Sequence, residues 1–168
     1  VTVEEAIRTA IELEARVRDV YVEAAERTGQ DEGERLFRLM ADEEQRHLDY
    51  LEAKLAQWAE ERSVSPERLE TAVPAADLVR EEVERLKEDV GGKPGRVEME
   101  FLRKALAVER ETSEFYARVV AELPGEASRL FRRFMEIEEG HLALVQAQID
   151  AAAGTGYWFD VREFNLEG

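Results

Sequence analysis

The sequence contains no cysteine. Within these residues that excludes disulfides, zinc–cysteine sites and any iron–sulfur or rubredoxin-type centre. No apolar run is long enough to span a bilayer and no signal peptide is visible, so a cytoplasmic location is the default expectation. Positive charge is in short supply: 23 Lys and Arg face 39 Asp and Glu, for a formal net charge of −16. A surface this acidic repels nucleic-acid phosphates and anionic lipid heads, so neither a nucleic-acid nor a membrane partner is expected. It attracts cations, although solubility alone would account for it. Proline is scarce, with four residues, and aromatics make up 8%. What remains, 37% charged and 44% hydrophobic over 168 residues, suits amphipathic helices packed into one domain with a sizeable core.

Apolar residues recur at helical spacing in four long stretches. Thr2 and Glu5 form a capping box for the first, whose inward stripe is Ile7, Ala10, Glu14, Val17, Tyr21 and Ala24, and Gly29 is expected to end it. Asp31 with Glu34 is expected to cap the second, which runs to about Arg62 with Leu36, Met40, Glu44, His47, Leu51, Leu55 and Trp58 inward. The third runs from about Arg96 to Leu123 with Leu102, Ala105, Glu109, Thr112, Tyr116 and Val119 inward. Pro124-Gly125 stops it. The fourth runs from about Glu126 to Ala153 with Leu130, Phe134, Glu138, His141, Val145 and Gln148 inward.

Residues 63–95 are too long for a simple loop and read as a crossover between the second and third helices of a bundle. Within it, Ser65-Pro66 is expected to open a short helical piece broken at Pro74. Asp77 to Val90 reads as a more polar helix, and Gly91 to Gly95 as a breaker. After Gly154-Thr155-Gly156, the tail with Tyr157, Phe159 and Phe164 is expected to be extended and to pack on the bundle or on a neighbouring chain. The expected architecture is therefore all-α: a helix hairpin over 3–62, a crossover over 63–95, a second hairpin over 96–153 and a tail over 154–168.

The two hairpins repeat at an offset of about 95 residues. Glu14 falls on Glu109, Tyr21 on Tyr116, Glu44 on Glu138 and His47 on His141. Both histidines of the chain lie in the pattern Glu-x-x-His, Glu44 to His47 and Glu138 to His141. Each pattern follows a lone upstream Glu by about thirty residues. Helical positions three apart share a face, so each pattern can aim a carboxylate and an imidazole at one spot. In every long helix these polar residues interrupt an apolar stripe. Burying four carboxylates together is costly unless something neutralises them, and two divalent cations would do so.

A donor set of carboxylate oxygen and imidazole nitrogen suits two iron ions or manganese, with zinc or cobalt as surrogates. Glu14, Glu44, His47, Glu109, Glu138 and His141 are the candidate ligands, with Glu44 and Glu138 expected to bridge the metals and Glu14 and Glu109 expected to be terminal. A chance pairing of glutamate and histidine could produce one such pattern; it does not readily produce the doubled, evenly spaced set. Tyr21 and Tyr116 lie two turns from the lone glutamates. They read either as core aromatics or as groups acting on the metals from behind the ligands, as hydrogen-bond donors or radical relays. Glu43 and Glu139 sit about 100° round the helix from the ligands and are expected to be solvated, as are Glu12 and Glu111. Trp58 and Trp158 are expected to be packing residues.

The segments EARVRDVY (14–21), DEEQRH (42–47), ERETSEFY (109–116) and EIEEGH (136–141) resemble the rubrerythrin branch of the ferritin-like superfamily. The resemblance covers the four long helices. It implies a four-helix bundle, a carboxylate-bridged di-iron site, reaction with hydrogen peroxide or dioxygen, and a homo-oligomer, typically a dimer that in some members exchanges helical hairpins. Two departures stand out. The rubredoxin domain that delivers electrons in many members is not encoded in these residues, so a separate electron-donor protein is implied. The further glutamate that members carry one turn after the third-helix ligand is Thr112 here, which implies that His47 and His141 bind symmetrically.

Three function classes follow. The first is a di-iron or dimanganese oxidoreductase using peroxide or dioxygen, a dimanganese catalase being one variant. The second is ferrous oxidation for iron handling, alone or inside a separate shell. The third is a non-catalytic metal-binding module.

Overall fold

The computed structural model describes residues 1–67, 69–86 and 94–154. Among them are five helices and no strand: α1 (Val3–Arg27), α2 (Asp31–Glu61), α3 (Ala76–Leu86), α4 (Arg96–Glu122) and α5 (Gly125–Gly154). The Thr2/Glu5 capping box is present, each side chain satisfying the other's backbone N–H. Three boundary expectations are corrected. α1 ends at Thr28 in extended backbone, without a left-handed glycine at Gly29, and the Thr28 hydroxyl donates to Glu98 at 2.9 Å. Gln30, not Asp31, is the N-cap of α2 and makes no side-chain cap bond; Asp31, Glu32 and Glu34 lie in the first turn, where they complement the helix dipole. No helix forms at Ser65-Pro66, because the Ser65 N–H and hydroxyl are both engaged by the Gln57 side chain instead of capping a new turn. The tail expectations, including Trp158, and the breaker expectation at Gly91 to Lys93 lie outside the described residues. Trp58 is half-buried against the core, as are Leu55 and Tyr50.

α1 pairs with α2 and α4 with α5 as two hairpins; α1 and α4 pack between the hairpins, and α3 lies on α5. The core is split in two. One apolar cluster contains Val17, Tyr21, Leu36, Met40, Leu102, Ala105, Leu144 and Val145. The other contains Ile7, Ala10, Leu51, Tyr116, Val119, Leu130 and Phe134. Each long helix contributes to both clusters, and its candidate ligands fall between the two contributions. The order of clusters along the chain gives the helix directions. α1 and α5 run from the second cluster to the first; α2 and α4 run from the first to the second. α2 and α4 are therefore parallel, and the chain must return along the whole bundle between them, roughly 40 Å at the rise of an α-helix.

The crossover makes this return on the surface of the bundle. Val64 and Leu69 are buried in the second cluster, Val73 and Val79 in the first. Tyr50 donates to the Glu67 carbonyl at 2.8 Å and Arg133 to the Leu69 carbonyl at 3.1 Å, fixing the first part to α2 and α5. Further on, the Pro74 carbonyl sits against Gly140 of α5, so closely that a Cβ there would lie 2.6 Å from the oxygen.

Alanine is the better helix former by about 0.5–1 kcal/mol in an ordinary helix interior. Gly140→Ala is nonetheless expected to destabilise the protein, by about 1–3 kcal/mol, because the obstructing atom is backbone and must shift. Urea unfolding of the variant against wild type measures this; a stabilised variant would show that the crossover does not pack on α5 as described.

Candidate metal centre

The six candidate ligands lie between the two apolar clusters, all with no exposed surface. Their ligand atoms form two overlapping groups, each with its atoms within 4.8 Å of one another: Glu14, Glu44, His47 and Glu138; and Glu44, Glu109, Glu138 and His141. Glu44 and Glu138 belong to both groups, while each lone glutamate and each histidine belongs to one. His47 Nδ1 is 3.2 Å from both Glu14 and Glu44 and 3.6 Å from Glu138. His141 Nδ1 is 2.9 Å from Glu44 and 3.7 Å from both Glu109 and Glu138. The two imidazoles are parallel, with ring centres 5.4 Å apart.

Proximity here is not the same as pairing. Both oxygens of Glu44 and of Glu138, one of Glu109, both ring nitrogens of His141 and Nε2 of His47 have no hydrogen-bond partner among the described residues. Buried polar atoms are rarely left so in folded proteins. Several such atoms converging on one volume, all able to donate a lone pair, fit a pair of cations.

Without cations the cluster balances its charge with protons. Burial, then the charge of Glu14, raises the Glu44 carboxyl to about 8. Burial, then Glu14 and Glu109, raises Glu138 well above the carboxylate range. Burial also opposes ionisation of Glu14, but the Glu44 carboxyl, His47 and Tyr116 outweigh it and bring Glu14 to about 2. Glu109 is lowered in the same way, against burial, by His141, Glu138 and Tyr21. Burial works to lower both histidines, yet nearby carboxylates prevail: Glu44 and Glu14 raise His47 to about 10, and Glu138 and Glu44 raise His141 well above its usual value. Two ionised glutamates thus face two imidazolium rings, while Glu44 and Glu138 carry protons. Two dications entering this cluster would displace those four protons and leave its net charge unchanged.

The two tyrosines cross between the hairpins. Tyr21 of α1 donates to Glu109 of α4 at 2.6 Å, and Tyr116 of α4 donates to Glu14 of α1. Each thus orients the lone glutamate of the other half. The exchange is the signature of an approximate two-fold axis between equivalent residues. Arg16 and Glu111, which also fall on one another in the repeat, meet across the same axis in a two-pronged ion pair at 3.0 Å. Glu111 is exposed there, as are Glu12 and Glu139. Thr112, one turn after Glu109, is buried, and its hydroxyl donates back to the Val108 carbonyl at 2.9 Å.

Glu43 is the residue that sequence reasoning missed. Its place off the apolar stripe predicts solvent, and it is fully buried. Turning about 100° from Glu44 carries it under the crossover, not into water. There it accepts from Thr71 Oγ1 at 2.5 Å, from the Ala72 N–H at 2.8 Å and from Arg46, and one oxygen lies 3.6 Å from His141 Nε2. A signal was present in the sequence: Glu43 falls on Ile137 in the repeat, an apolar residue on an inward-facing position.

The family model for rubrerythrin matches residues 5–149, a span holding all six candidate ligands, Glu43 and both tyrosines. No curated protein and no solved structure gives a match.

Metal-free protein should lose stability as pH rises. Glu44 at about 8 and His47 at about 10 lie above their ordinary values of 4.5 and 6.5, so both stabilise the fold fully below those ordinary values. That contribution is lost progressively as pH climbs to about 10. Glu14, depressed to about 2, acts in the opposite sense, and its contribution disappears as pH falls from 4.5 towards 2. The melting temperature of chelator-treated protein should therefore peak in mild acid and decline to alkaline pH. Two equivalents of divalent metal should flatten the alkaline decline. A melting temperature that rises between pH 6.5 and 10 without metal would contradict the proton placement.

Proposed function

The chain belongs to the rubrerythrin family, and from that premise we propose that it is a non-haem di-iron carboxylate oxidoreductase that reacts with hydrogen peroxide or dioxygen. The observation that carries this reading is the pair of overlapping donor groups sharing Glu44 and Glu138. Glu44 and Glu138 are proposed as the bridging carboxylates, Glu14 with His47 and Glu109 with His141 as the terminal ligands of the two metals. Manganese could take the same places, and zinc or cobalt could substitute without the redox chemistry.

Two ferrous ions bound here would supply one electron each, which with two protons reduces one hydrogen peroxide to two waters. The protein's own part is to fix and insulate. Tyr21 and Tyr116 hold Glu109 and Glu14 by hydrogen bonds to charged acceptors, each worth about 1.5–3 kcal/mol. The apolar clusters on both sides exclude bulk water and would hold the carboxylates in place for the metals. Buried tyrosine hydroxyls this close to the ligands are also placed to give a proton or an electron. A separate donor protein is proposed to return the pair to the ferrous state, and the working unit is proposed to be a homo-oligomer, such as a dimer.

One observation favours ferrous oxidation for iron handling as a second reading. α4 offers only Thr112 one turn beyond Glu109, and its hydroxyl is committed to the helix backbone. The two metals then have matching ligand sets, with no additional carboxylate one turn beyond Glu109 on α4 for one of them to exchange onto.

Metal analysis of protein isolated without added metal, beside the double variant Glu44→Ala, Glu138→Ala, tests the reading. The expected result is about two irons per chain in wild type and near none in the variant. Stopped-flow oxidation of the anaerobic di-ferrous protein then separates the readings. Faster oxidation by peroxide, with one peroxide consumed per iron pair, supports the first; faster oxidation by dioxygen with release of ferric iron supports the second. Tightly held zinc and no redox reaction would replace both with a non-catalytic metal module.

A further inference from the structure

The duplicated hairpins predict two equivalent metal subsites, but the surroundings of the two histidines differ. Behind His141, Nε2 faces the Glu43 carboxylate at 3.6 Å. Neither Nε2 has a hydrogen-bond partner within 3.5 Å among the described residues, but behind His47 the ring packs edge-on with Phe134, centres 5.4 Å apart. The repeat explains the difference: the residue on α5 that corresponds to Glu43 is Ile137.

Glu43 is also held in place from outside the bundle. Thr71 Oγ1 at 2.5 Å, the Ala72 N–H at 2.8 Å and the Arg46 guanidinium all donate to it. Thr71 and Ala72 lie between Leu69, buried in the second apolar cluster, and Val73, buried in the first, so the crossover passes the level of the ligands at this point. Glu43, His47 and His141 also place ligand atoms within 4.8 Å of one another, which could suggest a third metal position. The donors already on Glu43 argue against that. Both of its oxygens are occupied, and Nδ1 of each histidine already faces the paired centre.

We propose that Glu43 is a positioning residue for His141, clamped by the crossover at Thr71 and Ala72, and that it makes the Glu109/His141 subsite bind metal first and more tightly than the Glu14/His47 subsite. The inference rests on the paired-metal reading above. An imidazole that presents one nitrogen to a metal usually gives its other N–H to a carboxylate or carbonyl, which fixes the ring and raises its basicity. The Glu43 carboxylate stands behind His141 Nε2 at 3.6 Å, just beyond hydrogen-bond distance and within reach of a small closure, whereas the corresponding position behind His47 is the apolar Ile137.

Anaerobic titration of metal-free protein with cobalt(II), followed by visible absorption, reads the two subsites separately. Proton NMR of the cobalt-loaded protein reads the imidazole N–H groups. Wild type should take up two cobalt ions per chain in two steps of unequal affinity. Glu43→Gln should weaken the tighter step by about 10–100-fold, as loss of such a partner typically does. It should also shift one exchangeable imidazole resonance and speed its exchange with solvent, leaving the other in place. A residue that only supported folding would not move a single resonance. Thr71→Val should act in the same direction more weakly, and it carries the test if Glu43→Gln does not fold. Exposed Glu139→Gln should change nothing. Two ions bound in wild type, with both steps and both resonances unmoved in folded Glu43→Gln or Thr71→Val, would overturn the positioning role alone. Fewer than two ions in wild type would overturn the paired-metal reading and this inference with it.

Discussion

The structure depends on the burial of four carboxylates and two imidazoles between two apolar clusters. Moving a single ion from water into a protein interior costs several kcal/mol even after relaxation, and like charges side by side cost more. Hydrophobic burial above and below the cluster supplies the stabilisation that holds it in place. The arrangement persists only because its charge is balanced, by protons on Glu44, Glu138 and both histidines or by cations in their place. The candidate ligands are on helices and not loops. Each helix carries apolar residues on both sides of its ligands, so the position of every carboxylate is fixed by packing one and two turns away.

The hairpin duplication then solves an orientation problem. An ionised carboxylate with neither metal nor donor could rotate or move towards water. Tyr21 holding Glu109, and Tyr116 holding Glu14, secure each lone glutamate from the opposite half. Neither hairpin is complete alone: each supplies the tyrosine that the other's ligand requires. The aromatic rings also serve the clusters in which they sit, Tyr116 stacking on Phe131 and Phe134 and Tyr21 packing beside Phe37. One side chain thereby joins a core to the centre.

Much of this could be read from the sequence, for definite reasons. The stripes of α1, α4 and α5 are buried as the 3.6-residue period requires, and the glutamates and histidines within them could be picked out because they break an apolar pattern at matching positions in two halves. The crossing of the tyrosines was not legible, because periodicity places a side chain on a face but does not say which neighbour it reaches. Helix starts were harder: the Asp31/Glu34 pattern resembles a cap, yet Gln30 takes the cap position and the acidic residues act on the first turn. Ser65-Pro66 has the local chemistry of a helix start, and a tertiary partner, Gln57, overrides it. Glu43 was misplaced for a related reason. A helical wheel assigns any position off the apolar stripe to solvent, and that fails wherever another part of the chain covers the second face.

That cover follows from topology. Once α2 and α4 run in the same direction, the connecting chain must traverse the outside of the bundle and pass the ligands on its way. A strap of backbone crossing the seam between α2 and α5 brings polar donors to a half-buried place, and an acceptor there removes the cost of leaving them unpaired. Glu43 provides that acceptor to Ala72 and Thr71, while Gly140 on the facing helix leaves room for the Pro74 carbonyl. Among the described residues one crossover passes the site, and it treats one half of the duplicated bundle this way. Connectivity therefore breaks the symmetry that duplication creates, and it does so directly behind one of the two histidines.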